Sequence, residues 1–181
     1  MRARGFGALG GLAALAAACV LAGTMASVGT AAGQDKPAEK APPASVQVEA
    51  VVILASKGEK EQVDEGLKGI ADLLKNKFKD QFNVFRHGGN PSGKVELNKT
   101  ISLSLLAAQK LSLKVSYEGV KGEDMVSLRL SIVKTEVVDE KPVERNVLGP
   151  LGVALTRGQY LLLGGPQVGK ETLIVAVRVA K

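Results

Sequence analysis

The stretch Leu111-Ser-Leu-Lys-Val-Ser-Tyr-Glu-Gly119, followed after a turn by Val126-Ser-Leu-Arg-Leu-Ser-Ile132, decides the fold. Apolar side chains occupy every second position: Leu111, Leu113, Val115 and Tyr117, then Val126, Leu128, Leu130 and Ile132. Successive side chains of a strand point to opposite faces, so each run presents one apolar and one polar face. The intervening Gly119-Val-Lys-Gly-Glu-Asp124 forms a turn and makes the two runs antiparallel neighbours. One half-buried face per strand, with short connections, is the pattern of antiparallel sheets and not of a doubly wound parallel fold.

The period of two extends in both directions. Upstream, Phe82 and Val84 open a strand expected to end in the turn His87-Gly-Gly-Asn-Pro-Ser-Gly93, and Val95, Leu97, Ile101, Leu103 and Leu105 alternate with polar partners. Downstream, residues 134–146 are charged and contain Pro142, which predicts a loop or an edge excursion. Val153 and Leu155 lead through Arg157-Gly158 to Tyr160-Leu-Leu-Leu163, and Leu173, Val175, Val177 and Val179 form the last run. Near the start, Val46, Val48 and Ala50 alternate with polar residues before Val51-Val-Ile-Leu54 runs continuously apolar. That predicts a strand whose second half is buried on both faces.

One segment has a helical period. Val63, Leu67, Ile70, Leu74 and Phe78 recur at intervals of three or four and share one narrow face of a helix over about 64–79. Asp64 is placed as its N-cap, and Lys75, Lys77 and Lys79 crowd the last turns, where the helix dipole favours cations. Lys68, Asp72, Lys75 and Lys79 form the opposite, solvated stripe. The expected fold class is α+β: an antiparallel β-sandwich or curled sheet of roughly seven to nine strands with this one amphipathic helix packed on it.

The first residues carry an address. Arg2 and Arg4 are followed by no charged residue until Asp35, and residues 6–28 are rich in Ala, Gly and Leu. A basic start, an apolar middle and a small-residue end make a secretory signal. Thr30-Ala31-Ala32 satisfies signal peptidase and predicts cleavage between Ala32 and Gly33, with Ala31 nearly as suitable. Two alternatives stay open: lipidation at Cys19, which follows Ala16-Ala-Ala18, or an uncleaved anchor, since about 20 apolar residues span a bilayer. The organisation expected is a signal peptide at 1–32, a disordered Pro-rich tether at 33–44 and one α+β domain at 45–181. The Ala-rich leader points to a bacterial protein working in the periplasm or outside the cell. Membrane contact is expected only through the N-terminal segment, if it is retained or lipidated.

Composition excludes several chemistries. Cys19, the lone Cys, leaves with a cleaved leader, which removes disulfides, thiol nucleophiles and cysteine metal sites from the mature chain. With one His, His87, a chain cannot build a multi-histidine site, and no cofactor is expected. Removing Arg2 and Arg4 lowers the net charge from +6 to +4, with 22 basic and 18 acidic residues interspersed. With no Trp, two Tyr and four Phe, the chain lacks the stacking platforms of nucleic-acid binders, and no nucleic-acid partner is expected.

Gly164-Gly-Pro-Gln-Val-Gly169-Lys170 satisfies the first seven positions of a phosphate-binding loop. The eighth position should be a hydroxyl and is Glu171, and residues 172–180 alternate as a strand where the motif needs a helix N-terminus. A Gly/Pro hairpin between two strands is expected instead. His87 in a Gly-rich turn could act as a general base for a small secreted hydrolase, although no G-x-S-x-G elbow supplies a nucleophile. Asp64, Glu65 and Asp72 read as helix capping and surface charge, and Asn98-Lys-Thr100 is formally a glycosylation sequon.

Three stretches resemble the C-terminal homology region of secretins, the ring-forming outer-membrane proteins of bacterial secretion systems. Val46-Gln-Val-Glu-Ala-Val-Val-Ile-Leu54 is similar to the strand that opens that region, and Val126-Ser-Leu-Arg-Leu-Ser-Ile132 to its late alternating strand. Leu155-Thr-Arg-Gly-Gln-Tyr-Leu-Leu-Leu-Gly-Gly-Pro166, with residues 173–179 after it, resembles the closing strand–turn–strand pattern. No amphipathic membrane-spanning hairpins accompany them, so the resemblance implies a stripped-down relative or an accessory and not a pore. The expected function is that of an exported, non-enzymatic binding or assembly module of a bacterial envelope, with a protein partner. Its sheet edges, the hairpin at 164–169 and the excursion at 134–146 are the expected contact surfaces.

Overall fold

The computed structural model describes residues 42–122 and 124–181. Cys19, the Ala32 and Gly33 junction and residues 33–41 of the expected tether lie outside the described residues. In chain order the elements are β1 (Ser45–Ser56), β2 (Gln62–Val63), a 3₁₀ segment (Glu65–Ile70) running into α1 (Ala71–Phe78), β3 (Val84–Gly89), β4 (Ser92–Glu96) and β5 (Thr100–Leu106). A short 3₁₀ segment (Ala107–Gln109) precedes β6 (Leu111–Lys121), β7 (Met125–Val138), β8 (Lys141–Thr156), β9 (Tyr160–Val168) and β10 (Glu171–Val179).

These form an open sandwich of two sheets with one short helix, an α+β fold and not a closed barrel. In the first sheet β1 and β10 are the central antiparallel pair, with Val48 opposite Val179, Val52 opposite Val175 and Ile53 opposite Ile174. β9 lies outside β10, while β3 and β4 flank β1 on its other side and the two-residue β2 adds parallel to β3. The second sheet is a meander in the order β5-β6-β7-β8.

The register sorts side chains into two cores. Val46, Val48, Ala50 and Val52 of β1, with Leu173, Val175, Val177 and Val179 of β10, face Leu113, Val115, Tyr117, Leu128 and Leu130 of the second sheet. The opposite face of the first sheet offers Ile53, Ala55, Phe85, Ile174 and Ala176, which Leu67, Ile70 and Leu74 cover. The continuously apolar parts of β1 and β10 therefore form a middle layer with hydrophobic matter on both sides, as the unbroken run at 51–54 predicts.

Local chemistry reshapes three expected elements. The helix expected over 64–79 divides into a 3₁₀ segment and an eight-residue α-helix. Gly66 and Gly69 weaken the α conformation there. Gly66 is also needed for close approach, since a Cβ on it would sit 3.0 Å from Cγ of His87. Asp64 occupies the N-cap position without a side-chain cap; its Oδ2 accepts the backbone N–H of His87 at 3.0 Å.

The turn expected at 87–93 is instead two strands, β3 and β4, in line along β1 and interrupted only at Asn90 and Pro91. β3 pairs with the second half of β1 and β4 with the first half, both antiparallel, and the register slips by one residue within the β3 pairing, between Val52 and Ile53. Gly88 and Gly89 absorb the slip as a bulge: a Cβ on Gly88 would lie 2.9 Å from Cγ1 of Val52, and Gly89 has φ +143°. Ala50 N–H donates to the Pro91 carbonyl at 2.9 Å, bridging the interruption. Residues 134–146, expected as a loop or edge excursion, extend β7 and β8 as a two-stranded arm on the edge of the second sheet. Its turn places Asp139 and Glu140 at φ +51° and +62°. The described residues form ten strands, one of them the two-residue β2, against an expected seven to nine.

Candidate binding surface

The arm is held by the β7–β8 backbone ladder, and its charges pair both along and across the strands. Beyond Lys134, β7 has lost β6 as a neighbour and pairs only with β8, from Thr135 opposite Glu144 to Val138 opposite Lys141. Glu136 accepts from Lys134 Nζ at 3.0 Å and lies 3.4 Å from Arg145 Nε. The Lys134 hydrogen bond and charge, with Arg145 behind them, hold the Glu136 carboxyl below the usual carboxylate range. On the outer face, Glu144 pairs with Lys114 of β6. Among the described residues, Met125, Val137, Val138, Val143, Val147 and Leu151 are the exposed large aliphatics, and all lie on β7 or β8. Val137, at the arm's end, is 61% exposed.

The outer face of the second sheet is built differently. Thr100, Ser116 and Arg129 stand abreast, as do Ser102, Lys114 and Ser131, and Ser104 is abreast of Ser112. Thr100 Oγ1 and Ser116 Oγ share a 2.6 Å hydrogen bond. The result is a low, hydroxyl-rich surface with Lys114 and Arg129 rising from it.

The residues singled out for chemistry scatter. His87 lies in β3 opposite Ile53, and its Nε2 hydrogen-bonds Asn90 Oδ1 at 2.8 Å. Asp64 holds the His87 backbone and not the ring, so this pair lacks the carboxylate–imidazole geometry of a catalytic triad. Residues 164–168 belong to β9, Gly169 and Lys170 make the turn with Gly169 at φ +66°, and Glu171 begins β10. The string is thus the hairpin expected from its sequence. A Cβ on Gly165 would lie 3.1 Å from the Leu173 carbonyl, where the two strands lose register. Glu171, which occupies the motif's hydroxyl position, instead accepts from Arg86 Nε at 2.8 Å. Glu65 pairs with Lys68 at 2.7 Å. Asn98 sits at φ +60° in the exposed turn between β4 and β5.

Several anchoring residues carried no signal in the sequence. Asn83 clasps Gly58 through both its amide atoms at 2.7 Å. Arg178 Nε donates to Glu49 Oε2 at 2.6 Å while its guanidinium lies 4.9 Å from the Tyr160 ring, joining β1, β10 and β9 on the helix-side face. The Glu49 hydrogen bond pushes the Arg178 pKa up. Tyr117 is fully buried, and its hydroxyl donates to the Pro43 carbonyl at 3.1 Å, docking the end of the expected tether. Burial pushes its phenol pKa up. Each pairing spans a long stretch of chain, so only the fold brings its members together.

A shallow groove of about 440 Å³ lies between Lys68, Ile70, Asp72 and Leu73 on one side and Gln159 and Tyr160 on the other. It gathers no nucleophile and no paired carboxylates. Among the described residues no group of three or more His, Cys, Asp or Glu side chains could hold a metal ion. No described helix is long and apolar enough to cross a membrane. No protein-family model, curated protein or solved structure matches the chain.

Proposed function

We propose that this protein is an exported, non-enzymatic binding or assembly module of a bacterial envelope, and that the β7–β8 arm is its contact surface. One observation carries the reading: the arm holds Val137, Val138 and Val143 in solvent, with Val147 exposed at its base, beyond the cover of either core. Exposed aliphatics grouped on one projecting element mark interaction sites more often than isolated ones do. Export rests on the leader, with cleavage between Ala32 and Gly33 preferred over lipidation at Cys19 or a retained anchor. The kinship proposed, as a stripped-down relative or accessory of secretins, rests on the sequence of the stretches that form β1, part of β7 and the β8–β10 segment.

The test is a pair of variants in the producing cell. Val137→Glu with Val143→Glu should abolish recovery of the crosslinked partner, whereas His87→Ala and Lys170→Ala should leave it and the phenotype intact. A hydrolytic activity of the purified protein that disappears in His87→Ala would overturn the reading in favour of a small secreted hydrolase.

A further inference from the structure

The free edges of the two sheets are not equivalent. A strand edge presents unpaired N–H and C=O groups, and proteins protect such edges with charge, proline, bulges or cover. β8 carries Pro142, Pro150, Lys141, Glu144 and Arg145, and it loses register with β7 twice. β9 carries Gly164-Gly-Pro166 in its second half and bulges against β10. The outer side of β4 carries Lys94 and Glu96.

β5 has no charge, no proline and, among the described residues, no cover, and its one irregularity is a register shift against β6 between Ser104 and Leu106, at the end of the strand. Thr100-Ile-Ser-Leu-Ser-Leu-Leu106 contains no charge, no Pro and no Gly, and it is regularly paired with β6 from Thr100 to Ser104. Among the described residues no backbone group of 100–106 bonds to anything on the side away from β6. The strand is also firmly seated: Ile101 and Leu103 press onto β4, where a Cβ on Gly93 would lie 2.9 Å from Ile101 Cδ1. Short, uncharged segments of this kind, left open at an edge, recruit another strand.

We infer that β5 pairs antiparallel with β5 of a second copy, joining the two four-stranded sheets into one continuous sheet across a two-fold axis. The sequence of the strand selects that partner. Centred on Ser102, the middle of the regular stretch, self-pairing sets Ser102 against Ser102, Thr100 against Ser104 and Ile101 against Leu103. Hydroxyls meet hydroxyls on the outer face and aliphatics meet aliphatics on the inner face, with no like charges opposed. A two-fold contact uses up both open edges, so association stops at the dimer. The inference stands apart from the role proposed for the arm, which the dimer would display twice.

Sedimentation equilibrium of the protein as recovered from the producing cell tests it. The wild type should reach twice the mass of one chain with rising concentration. Ser102→Lys and Ser102→Glu, each at an exposed position, should sediment as single chains, and mixing them should restore the dimer. Arg145→Glu on β8 should remain dimeric. If either charged variant fails to fold, Ser102→Cys in a Cys19→Ala background should yield a disulfide-linked dimer on oxidation, since opposed residues bring their Cα atoms within disulfide reach. A wild type that stays a single chain at every concentration overturns the inference, as does a dimer indifferent to both charges or a Cys variant that does not crosslink. A monomer whose β5 amides resist hydrogen exchange would assign the edge to residues 33–41 instead, which also overturns it.

Discussion

Replacing Leu74 by alanine should lower the stability of the protein by about 3 kcal/mol, a value set by the layered build. Leu74 is fully buried on the short helix, where it and its neighbours Leu67 and Ile70 cover Ile53, Phe85, Ile174 and Ala176. Losing about three methylene equivalents from this site removes about 2.4 kcal/mol of transfer free energy. The cavity left behind adds to that cost, and measured Leu→Ala losses in cores run from about 2.7 to 5 kcal/mol. An eight-residue helix on an open face can settle partly into the void, which keeps the estimate near the lower end. Urea unfolding at constant temperature reads the change directly. With a slope of about 2 kcal/mol per molar urea, the midpoint should fall by about 1.5 M at unchanged slope. Asn76→Ala on the exposed side of the same helix is the control and should move the midpoint little. A Leu74→Ala midpoint no lower than that of Asn76→Ala would refute a helix packed as a third layer on the first sheet.

Other consequences are smaller but specific. Glu140→Gly should stabilise the arm by about 0.5–1 kcal/mol, because a non-glycine residue now holds a left-handed conformation in its turn; the urea midpoint should rise. Gly149→Ala should destabilise by about 1–3 kcal/mol in the same assay. Its φ is +88°, and the new Cβ would lie 2.6 Å from the Leu130 carbonyl. Tyr117 adds an alkaline dependence. Its folded-state pKa is raised, so its contribution is complete below the unfolded phenol value of about 10 and is lost as pH rises through the folded value. Urea midpoints should therefore fall less steeply with alkaline pH in Tyr117→Phe than in the wild type, and equal slopes would deny the effect.

The sequence foreshadows the sandwich wherever one face of a strand meets a core. β6 and β7 are legible residue by residue, since their apolar positions 111, 113, 115, 117, 126, 128, 130 and 132 all line the inter-sheet core. The helix face is legible too, through Leu67, Ile70 and Leu74. Two elements are not. His87-Gly-Gly-Asn-Pro reads as a turn from local chemistry, yet the long β1 offers a partner to the whole segment and the glycines become a bulge. Residues 134–146 show no buried alternation because neither core covers them. Their strand character lies in the β7–β8 backbone ladder, closed by the turn at Asp139 and Glu140 and crossed by the Glu136–Arg145 pair. The candidate surface follows the same division. Its place at 134–146 can be read from the sequence, but its form as an arm with a valine-bearing end depends on pairing that no short window contains.

The most direct test of a binding role for the arm is site-specific photocrosslinking at Val137 in living cells that produce the protein. A single discrete adduct to an envelope protein is expected, lost on Val143→Glu and retained in Lys170→Ala. No adduct at Val137, with adducts instead from probes placed at the 164–170 hairpin or beside His87, would contradict it.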